Sequence, residues 1–154
     1  MKSSNGYFLC LAGPRSSAPL SFGHKKQGCT SLSTPEAETV SLAFGMKNVG
    51  IPSLSIWETV FGRSVQLRAL EDNEACISIA LAGYSPTMRH LDRTQRTYVG
   101  FLGDVFANAI AVIEYVESEK QAADLFTKDI KPKDWLRVCS LTGLEFHHSR
   151  DKPG

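Results

Sequence analysis

The chain has 154 residues, of which 42% are hydrophobic and 21% are charged, as expected for a single globular domain that buries a core. A formal net charge of +1 excludes a protein that attracts polyanions by its overall charge, so nucleic-acid binding would depend on local basic clusters. The four cysteines form no C-x-x-C pair and no zinc-ligand spacing, which predicts reduced, mostly buried thiols inside a cell. The sequence has no signal-peptide core and no apolar run of membrane-spanning length, so we expect no membrane partner and no secretion.

The pattern of apolar residues predicts alternating strands and helices. Gly13-Pro14 marks the turn of a hairpin whose connection should have about four to six residues. The S-x-x-E spacing of Ser33 and Glu36 predicts a capped helix start. The expected elements are hairpin strands 7–12 and 20–27, a helix 33–48 interrupted at Gly50 and Pro52 and resumed to Phe61, a strand 65–70, helices 76–81 and 91–108, a strand 109–116, and short helices 120–127 and 134–141. This order indicates an α/β fold with a mixed sheet.

Three short acidic segments lie far apart in the chain, each at the start or end of an expected element. They are Ser33–Glu38, Glu71–Asn73 and Ala122–Lys128. Carboxylates that converge from separate elements repel one another unless a cation lies between them, and hard oxygen ligands favour Mg²⁺. Two such ions can hold a phosphodiester for in-line hydrolysis. The segments therefore predict a magnesium site at one edge of the sheet.

Six segments also resemble the motifs of a known family, in the same order along the chain. The chain resembles the ribonuclease H domain of copia-type LTR retrotransposon (Pol or Gag-Pol) polyproteins from about Lys2 to Leu144. The matching segments are the serine-rich lead 2–7, S-F-G-H-K-K-Q at 21–27, L-S-T-P-E-A-E at 32–38, E-D-N-E-A-C-I at 71–77, R-H-L-D at 89–92 and Q-A-A-D-L-F-T-K at 121–128. The resemblance implies a ribonuclease H-like mixed sheet flanked by helices over residues 1–146, followed by a disordered tail, 147–154.

The resemblance also implies a set of catalytic acidic residues. Glu38 takes the role of the acidic residue on the first helix, Asp72 that of the residue after the fourth strand, and Asp124 the last role. The family's first Asp lies on a central strand, and its counterpart is expected upstream of Met1. We therefore expect that strand to be missing from this chain, weaker metal binding than in a complete domain, and impaired cleavage.

The implied activity is the Mg²⁺- or Mn²⁺-dependent hydrolysis of RNA in RNA–DNA hybrids during reverse transcription. Glu38, Asp72 and Asp124 would hold two metal ions, of which one activates water and the other stabilises the leaving 3′ oxygen. The implied partners are the hybrid, recognised by its shape and 2′-hydroxyls, and the reverse transcriptase region of the parent polyprotein. The implied location is a cytoplasmic virus-like particle or the nucleus. The alternative is a non-catalytic remnant of a retrotransposon that binds nucleic acid or another partner.

Each acidic residue also has a plainer interpretation. Glu38 could be a solvated carboxylate on a helix face, Asp72 could cap the following helix, and Asp124 could be a surface helix residue. Glu36 lies two positions from Glu38 and so points to a different face; we assign it to the capping box rather than to the metal.

Basic residues at two places are candidates for phosphate contacts. Lys25 and Lys26, next to His24, end the hairpin, although a solvated strand end fits them equally well. Further along the chain, Arg89, His90, Arg93 and Arg96 form a denser cluster. His90 and Asp92 could suggest a hydrolytic pair, but a structural or phosphate-binding role for His90 fits the sequence better. Trp57 and Trp135 are expected in the core or in helix packing.

Overall fold

The computed structural model describes residues 3–28, 30–90 and 93–143, with the side chains of residues 93–95 and 97 outside the described part. Cys29, Leu91, Asp92 and the predicted tail 147–154 therefore lie outside the described residues. The chain forms a mixed α/β structure with two small sheets. Its main elements are β1 (Ser4–Gly13), β2 (Ser16–Lys26), α1 (Thr34–Gly45), α2 (Ile51–Phe61), β3 (Leu67–Glu71), α3 (Glu74–Ala82), α4 (Arg93–Ala107), β4 (Ala111–Tyr115) and α5 (Trp135–Leu141). The α/β class and the predicted order of strands and long helices are confirmed.

β1 and β2 form an antiparallel hairpin that is longer and tighter than predicted. The strands pair from Ser4↔Lys26 to Gly13↔Ser16, so only Pro14 and Arg15 connect them. The predicted connection of four to six residues was wrong because the polar residues on either side of the turn continue the ladder. Backbone hydrogen bonds form there without any need for apolar side chains.

β3 and β4 form a second sheet in which the strands run parallel, from Leu67↔Ala111 to Glu71↔Tyr115. Parallel strands need a long crossover, which α3 and α4 provide. Within the described residues, no ladder joins this sheet to the β1–β2 hairpin. A groove of about 420 Å³ lies between the hairpin tip, residues 11–13 and 16–18, and the segment 61–66 that leads into β3.

The sequence predicted an interruption of the first long helix at Gly50 and Pro52, and this prediction was wrong. A π-helical turn, Met46–Gly50, joins α1 to α2 without leaving the right-handed helical region. Pro52 lies in the first turn of α2, where its missing N–H and fixed φ are tolerated. Gly62 ends α2 in the left-handed conformation at φ 61°, as its position after Phe61 predicted.

The start of α1 forms the predicted capping interaction with one difference. The Ser33 hydroxyl accepts a hydrogen bond from the Glu36 backbone N–H at 3.5 Å. The Glu36 carboxylate reaches one residue beyond the cap and accepts from the Leu32 N–H at 2.9 Å. Glu36 is 2% exposed, so its role in fixing the helix start is confirmed.

The core lies between the α1–π segment, α3, α4 and the β3–β4 sheet. Its main cluster contains Ala43, Met46, Leu67, Ala69, Ala80, Leu102, Val105 and Ala111, and a second cluster contains Val40, Met88 and Val99. Trp57 stacks on Phe61 at a centroid distance of 5.8 Å and Trp135 is 44% exposed, so neither indole belongs to these clusters. Cys76 and Cys139 are buried and Cys10 is exposed, and all three are free thiols.

The segment predicted as a helix over 120–127 consists of two short 3₁₀ turns, Ser118–Lys120 and Ala122–Phe126. Gln121 separates them with an extended backbone, and its side-chain amide donates to the Leu70 carbonyl at 3.1 Å. That contact ties the second turn to the end of β3. The helix predicted over 134–141 is present as α5, which follows a 3₁₀ turn at Pro132–Asp134.

The crossing of α3 and α4 generates a stability prediction. A Cβ on Gly103 would lie 2.7 Å from the Cα of Gly83, and because this contact is with backbone, the helices would have to separate. Gly103→Ala should lower the free energy of unfolding by about 1–3 kcal/mol. Gly100→Ala is the matched control, since its Cβ would have no neighbour closer than 3.9 Å and alanine favours a helix by about 1 kcal/mol. Urea denaturation of both variants checks the prediction, and equal stabilities would contradict it.

Candidate metal centre

Three carboxylates from two elements meet beyond the end of β3. Glu38 comes from α1, Glu71 is the last residue of β3 and Asp72 follows it. One carboxylate oxygen from each lies within 4.8 Å of the others. Glu38 and Asp72 were selected from the sequence, and the structure brings them together with a third acidic residue.

The local sequence explains why β3 directs these side chains as it does. The alternation along the strand places Leu67, Ala69 and Glu71 on the buried face. Asn73 then caps α3 and accepts hydrogen bonds from the N–H groups of Ala75 and Cys76 at 2.9 and 3.1 Å. The interpretation of Asp72 as the helix cap was therefore wrong. Asn73 performs that role because its amide oxygen reaches both free N–H groups.

The proximity of the carboxylates shifts their protonation. Burial, together with the charges of Glu38 and Asp72, raises the pKa of Glu71 to about 7 against two opposing backbone hydrogen bonds. Burial also raises the pKa of Glu38; an interaction with the Asn73 side chain lowers it and the charge of Asp72 raises it. The cluster is thus short of positive charge, which is the condition that a cation would relieve.

Asp124 interacts electrostatically with the cluster and forms an ion pair with Lys128. Its carboxylate is 2.9 Å from the Lys128 ammonium, and the charge of Asp72 acts on it across the site. Burial disfavours the charged form of Lys128, but the hydrogen bond to Asp124 and the charges of Asp124, Asp72 and Glu38 raise its pKa above its ordinary value. Lys128 therefore partly neutralises the same group of carboxylates.

One oxygen of the cluster lacks a partner. Glu38 Oε2 is buried and accepts no hydrogen bond within the part of the chain that the structure describes. A buried carboxylate oxygen without a donor is unfavourable unless a cation or water binds it. Three carboxylates with one unsatisfied oxygen are a donor set that suits Mg²⁺ or Mn²⁺.

The predicted phosphate-binding lysines and Arg89 lie on exposed parts of the protein. Lys25 and Lys26 are exposed at the end of β2, and the Lys25 ammonium lies 5.8 Å from the centroid of the Phe44 ring. Arg89 is exposed and donates to the Tyr84 hydroxyl at 3.1 Å. The side chain of Arg93 lies outside the described residues.

His90 is tied to the protein through both of its ring nitrogens. Nδ1 lies 2.9 Å from the Thr87 carbonyl oxygen, and Nε2 lies 3.6 Å from Glu36 Oε2. This geometry agrees with the structural role considered for His90, because it links the turn Pro86–His90 to the start of α1. The suggested pair with Asp92 lies outside the described residues.

Sequence reasoning chose Asp72 as the metal ligand and considered Glu71 only as a replacement for the absent Asp, and it gave Lys128 no role in the site. The strand was expected to end at Leu70, so Glu71 was placed after it. Leu67 and Ala69 occupy alternate positions along the strand, and one more step of this alternation would have placed Glu71 on the buried face. Lys128 could have been suspected from its spacing of four residues from Asp124, which suits an ion pair on one helical turn.

No family model matches the chain, and no solved structure matches it. Among the described residues, no helix has both the length and the apolar character needed to cross a bilayer.

The buried carboxylate of Glu71 generates a pH-dependent prediction in the absence of divalent cations. Because the pKa of Glu71 is raised to about 7 from an ordinary value near 4.3, the stability that Glu71 contributes should be complete below about pH 4 and should be lost as the pH rises through 7. Glu71→Gln should therefore stabilise the protein at pH 8 by on the order of 3 kcal/mol and have little effect at pH 4.

Urea denaturation at both pH values checks this expectation. Glu74→Gln is the matched control, because Glu74 is exposed three residues further along the chain and should show no comparable gain at pH 8. If Glu71→Gln changes the free energy of unfolding by the same amount at pH 4 and pH 8, the fold does not raise the pKa of this carboxylate.

Proposed function

We propose that the chain is a ribonuclease H-like domain of a copia-type retrotransposon polyprotein, whose parent activity is metal-dependent hydrolysis of RNA in RNA–DNA hybrids. The observation that carries this proposal is the meeting of Glu38 and Asp72, with Asp124 within electrostatic reach. These three residues were selected for the family's acidic roles, and they are 34 or more positions apart in the sequence. Residues with no common function have no reason to bring their charges together, because that proximity is unfavourable.

The arrangement of strands supports the same proposal. The ribonuclease H fold implied by the resemblance has one further strand between the antiparallel pair and the parallel pair. The described strands form an antiparallel pair, β1–β2, and a parallel pair, β3–β4, with no ladder between them. An additional strand between the pairs would join them into one mixed sheet, and in the family that strand carries the first acidic residue.

The residues of this chain have distinct roles in the proposed site. Glu38, Asp72 and Asp124 would hold Mg²⁺ or Mn²⁺; when bound, such ions supply an activated water and stabilise a leaving 3′ oxygen. Glu71 adds a fourth carboxyl group, and Asn73 caps α3 next to the cluster. Lys128 keeps Asp124 paired and places a positive charge where a scissile phosphate would approach.

A second candidate function is a non-catalytic module that binds nucleic acid or another partner. The ion pair between Lys128 and Asp124 favours it, because the ammonium also interacts with Asp72 and Glu38 and so provides part of the charge that a metal ion would supply. The two candidates differ in whether a divalent cation binds the carboxylates at all.

Calorimetric titration with Mn²⁺ distinguishes the two candidates. We expect weak but measurable binding that is lost in Asp72→Asn, because this change removes a ligand charge from the cluster. Glu74→Gln should bind as the unchanged protein does, since Glu74 is exposed outside the cluster. Absence of binding in the unchanged chain would favour the non-catalytic module, and binding lost in His90→Ala but kept in Asp72→Asn would place the metal elsewhere.

Cleavage of a labelled RNA–DNA hybrid tests the activity itself. We expect residues 1–154 alone to cleave it slowly or not at all, because the family's first carboxylate has no counterpart among them. Fusion of an upstream segment that carries an Asp-bearing strand should restore Mg²⁺-dependent cleavage, and Asp124→Asn in that fusion should abolish it. Rapid cleavage by the unextended chain that is lost in Asp124→Asn would mean that another carboxylate, with Asp92 and Glu71 the first to test, takes the missing role.

A further inference from the structure

Three aromatic rings stack on one face of the β1–β2 hairpin. Phe8 and Phe22 are cross-strand partners, and both stack against Phe126. The ring centroids are 6.2 Å apart for Phe8–Phe126 and 5.1 Å apart for Phe22–Phe126, with interplanar angles of 11° and 15°. Phe22 is nevertheless 62% exposed. It is therefore held in a fixed orientation by the stack while a large part of its surface remains open to solvent.

The same face of β2 carries basic residues next to this ring. Alternation along the strand places Phe22, His24 and Lys26 on one face, and their regular pairing with Phe8, Gly6 and Ser4 confirms that register. His24 and Lys26 are both exposed. Within the described residues Lys26 lies in no ion pair, so its charge is available to a ligand.

The stack is joined directly to the candidate metal centre. Phe126 lies two residues after Asp124 and two before Lys128, in the turn Ala122–Phe126 and its continuation. Thr127 packs so closely against Gly6 that a Cβ there would lie 2.1 Å from its methyl carbon. The turn that carries Asp124 is therefore seated on the hairpin face that presents Phe22, and a molecule bound at one site would extend toward the other.

We propose that Phe22 is a stacking platform for an unpaired base of single-stranded nucleic acid, with its neighbouring phosphates contacted by Lys26 and His24. An exposed aromatic ring next to cations on a strand combines the two features that bind single strands without sequence preference, which are base stacking and a positive track for the backbone. The placement of nucleic acid beside the carboxylates rests on the proposed function, whereas stacking on Phe22 does not require metal or cleavage.

Charge and patch size favour this ligand over an apolar protein surface. The only other exposed large hydrophobic residue among the described residues of β1 and β2 is Leu20, at 37%, so the apolar area is about one ring wide. A protein partner would need a larger contiguous apolar area. One exposed ring, beside a lysine that forms no ion pair with any described residue, matches one stacked base and its phosphate.

Fluorescence anisotropy with a labelled oligothymidylate of about 12 nucleotides, in EDTA, tests the proposal. Phe22→Leu keeps an apolar contact with Phe126 but removes the aromatic face, and it should weaken binding at least about fivefold, the lower end for one base–aromatic stack. Phe22→Tyr should retain binding. Lys26→Ala should lower the slope of log binding constant against log salt concentration by about one, as expected for the loss of one phosphate contact. Ile56→Ala is the control, because Ile56 is an equally exposed apolar residue, at 60%, on α2.

A direct readout separates stacking from a general loss of structure. Phe22→Trp should show emission that is quenched by the oligonucleotide beyond any change in the unchanged protein, where Trp57 and Trp135 supply the baseline. Wild-type affinity in Phe22→Leu, or no additional quenching in Phe22→Trp, would overturn the proposal. Self-association that is lost in Phe22→Leu, without any oligonucleotide binding, would also overturn it and assign the face to a second copy of the chain.

Asp72→Asn keeps this test independent of the proposed function. If oligonucleotide binding survives in Asp72→Asn and depends on Phe22, the platform stands whether or not the chain cleaves hybrids. If the extended chain cleaves hybrids and Phe22→Leu binds as the unchanged protein does, the platform is wrong and the proposed function stands.

Discussion

The parallel pairing of β3 with β4 is the constraint on which the rest of the structure depends. Two parallel strands cannot be joined by a tight turn, so the chain must cross over the sheet through α3 and α4. The crossover works only because the two helices approach closely where Gly83 meets Gly103. It also buries the inner face of β3, and burial of Leu67 and Ala69 carries Glu71 inward with them. The candidate metal centre is therefore a consequence of how this small sheet is connected.

The charge at this centre is balanced only in part by the protein. Glu38, Glu71 and Asp72 gather three carboxylates, and the single ammonium of Lys128 is paired with Asp124 rather than placed among them. Burial and the neighbouring charges raise the pKa of Glu71 to about 7. Protonation of this carboxyl group relieves the remaining repulsion. A site of this kind exchanges protons with solvent near neutral pH, and any cation that enters it displaces them. Metal affinity and local stability are thereby linked through the same group.

Local signals in the sequence were sufficient for much of the fold but not for the site. Ser33 and Glu36 marked the start of α1, Gly62 and Gly83 marked helix ends, and both adopt the left-handed conformation at φ 61° and 66°. These features depend on a few neighbouring residues, so a sequence can reveal them. The selection of Glu38, Asp72 and Asp124 came instead from a resemblance of spaced segments. Their proximity depends on tertiary packing that no local pattern describes.

The features that the sequence did not reveal depend on competition between local and distant contacts. The segment around Asp124 has the composition of a helix, but the contact of Gln121 with the Leu70 carbonyl holds the backbone extended at that point. The strand was expected to end before Glu71, whereas in the structure Glu71 is its last residue and is buried. A pleated strand reverses the direction of its side chains at every step, so the exact end of a strand decides which face its last side chain joins.

The π-helical turn at Met46–Gly50 has a consequence for how the long helix tolerates change in length. Such a turn contains one residue more than an α-helical turn would, and each residue of an α-helix rotates the following side chains by about 100°. Because a π turn needs about one residue more than an α turn to complete the same rotation, deletion of one residue within it would convert the segment to a regular α-helix and leave the side chains of α2 facing as they do now. Leu54 would still pack on the core, and Ile56 would stay exposed. The turn therefore accommodates one extra residue in the long helix, and the facing of α2 tolerates the loss of one residue at this point.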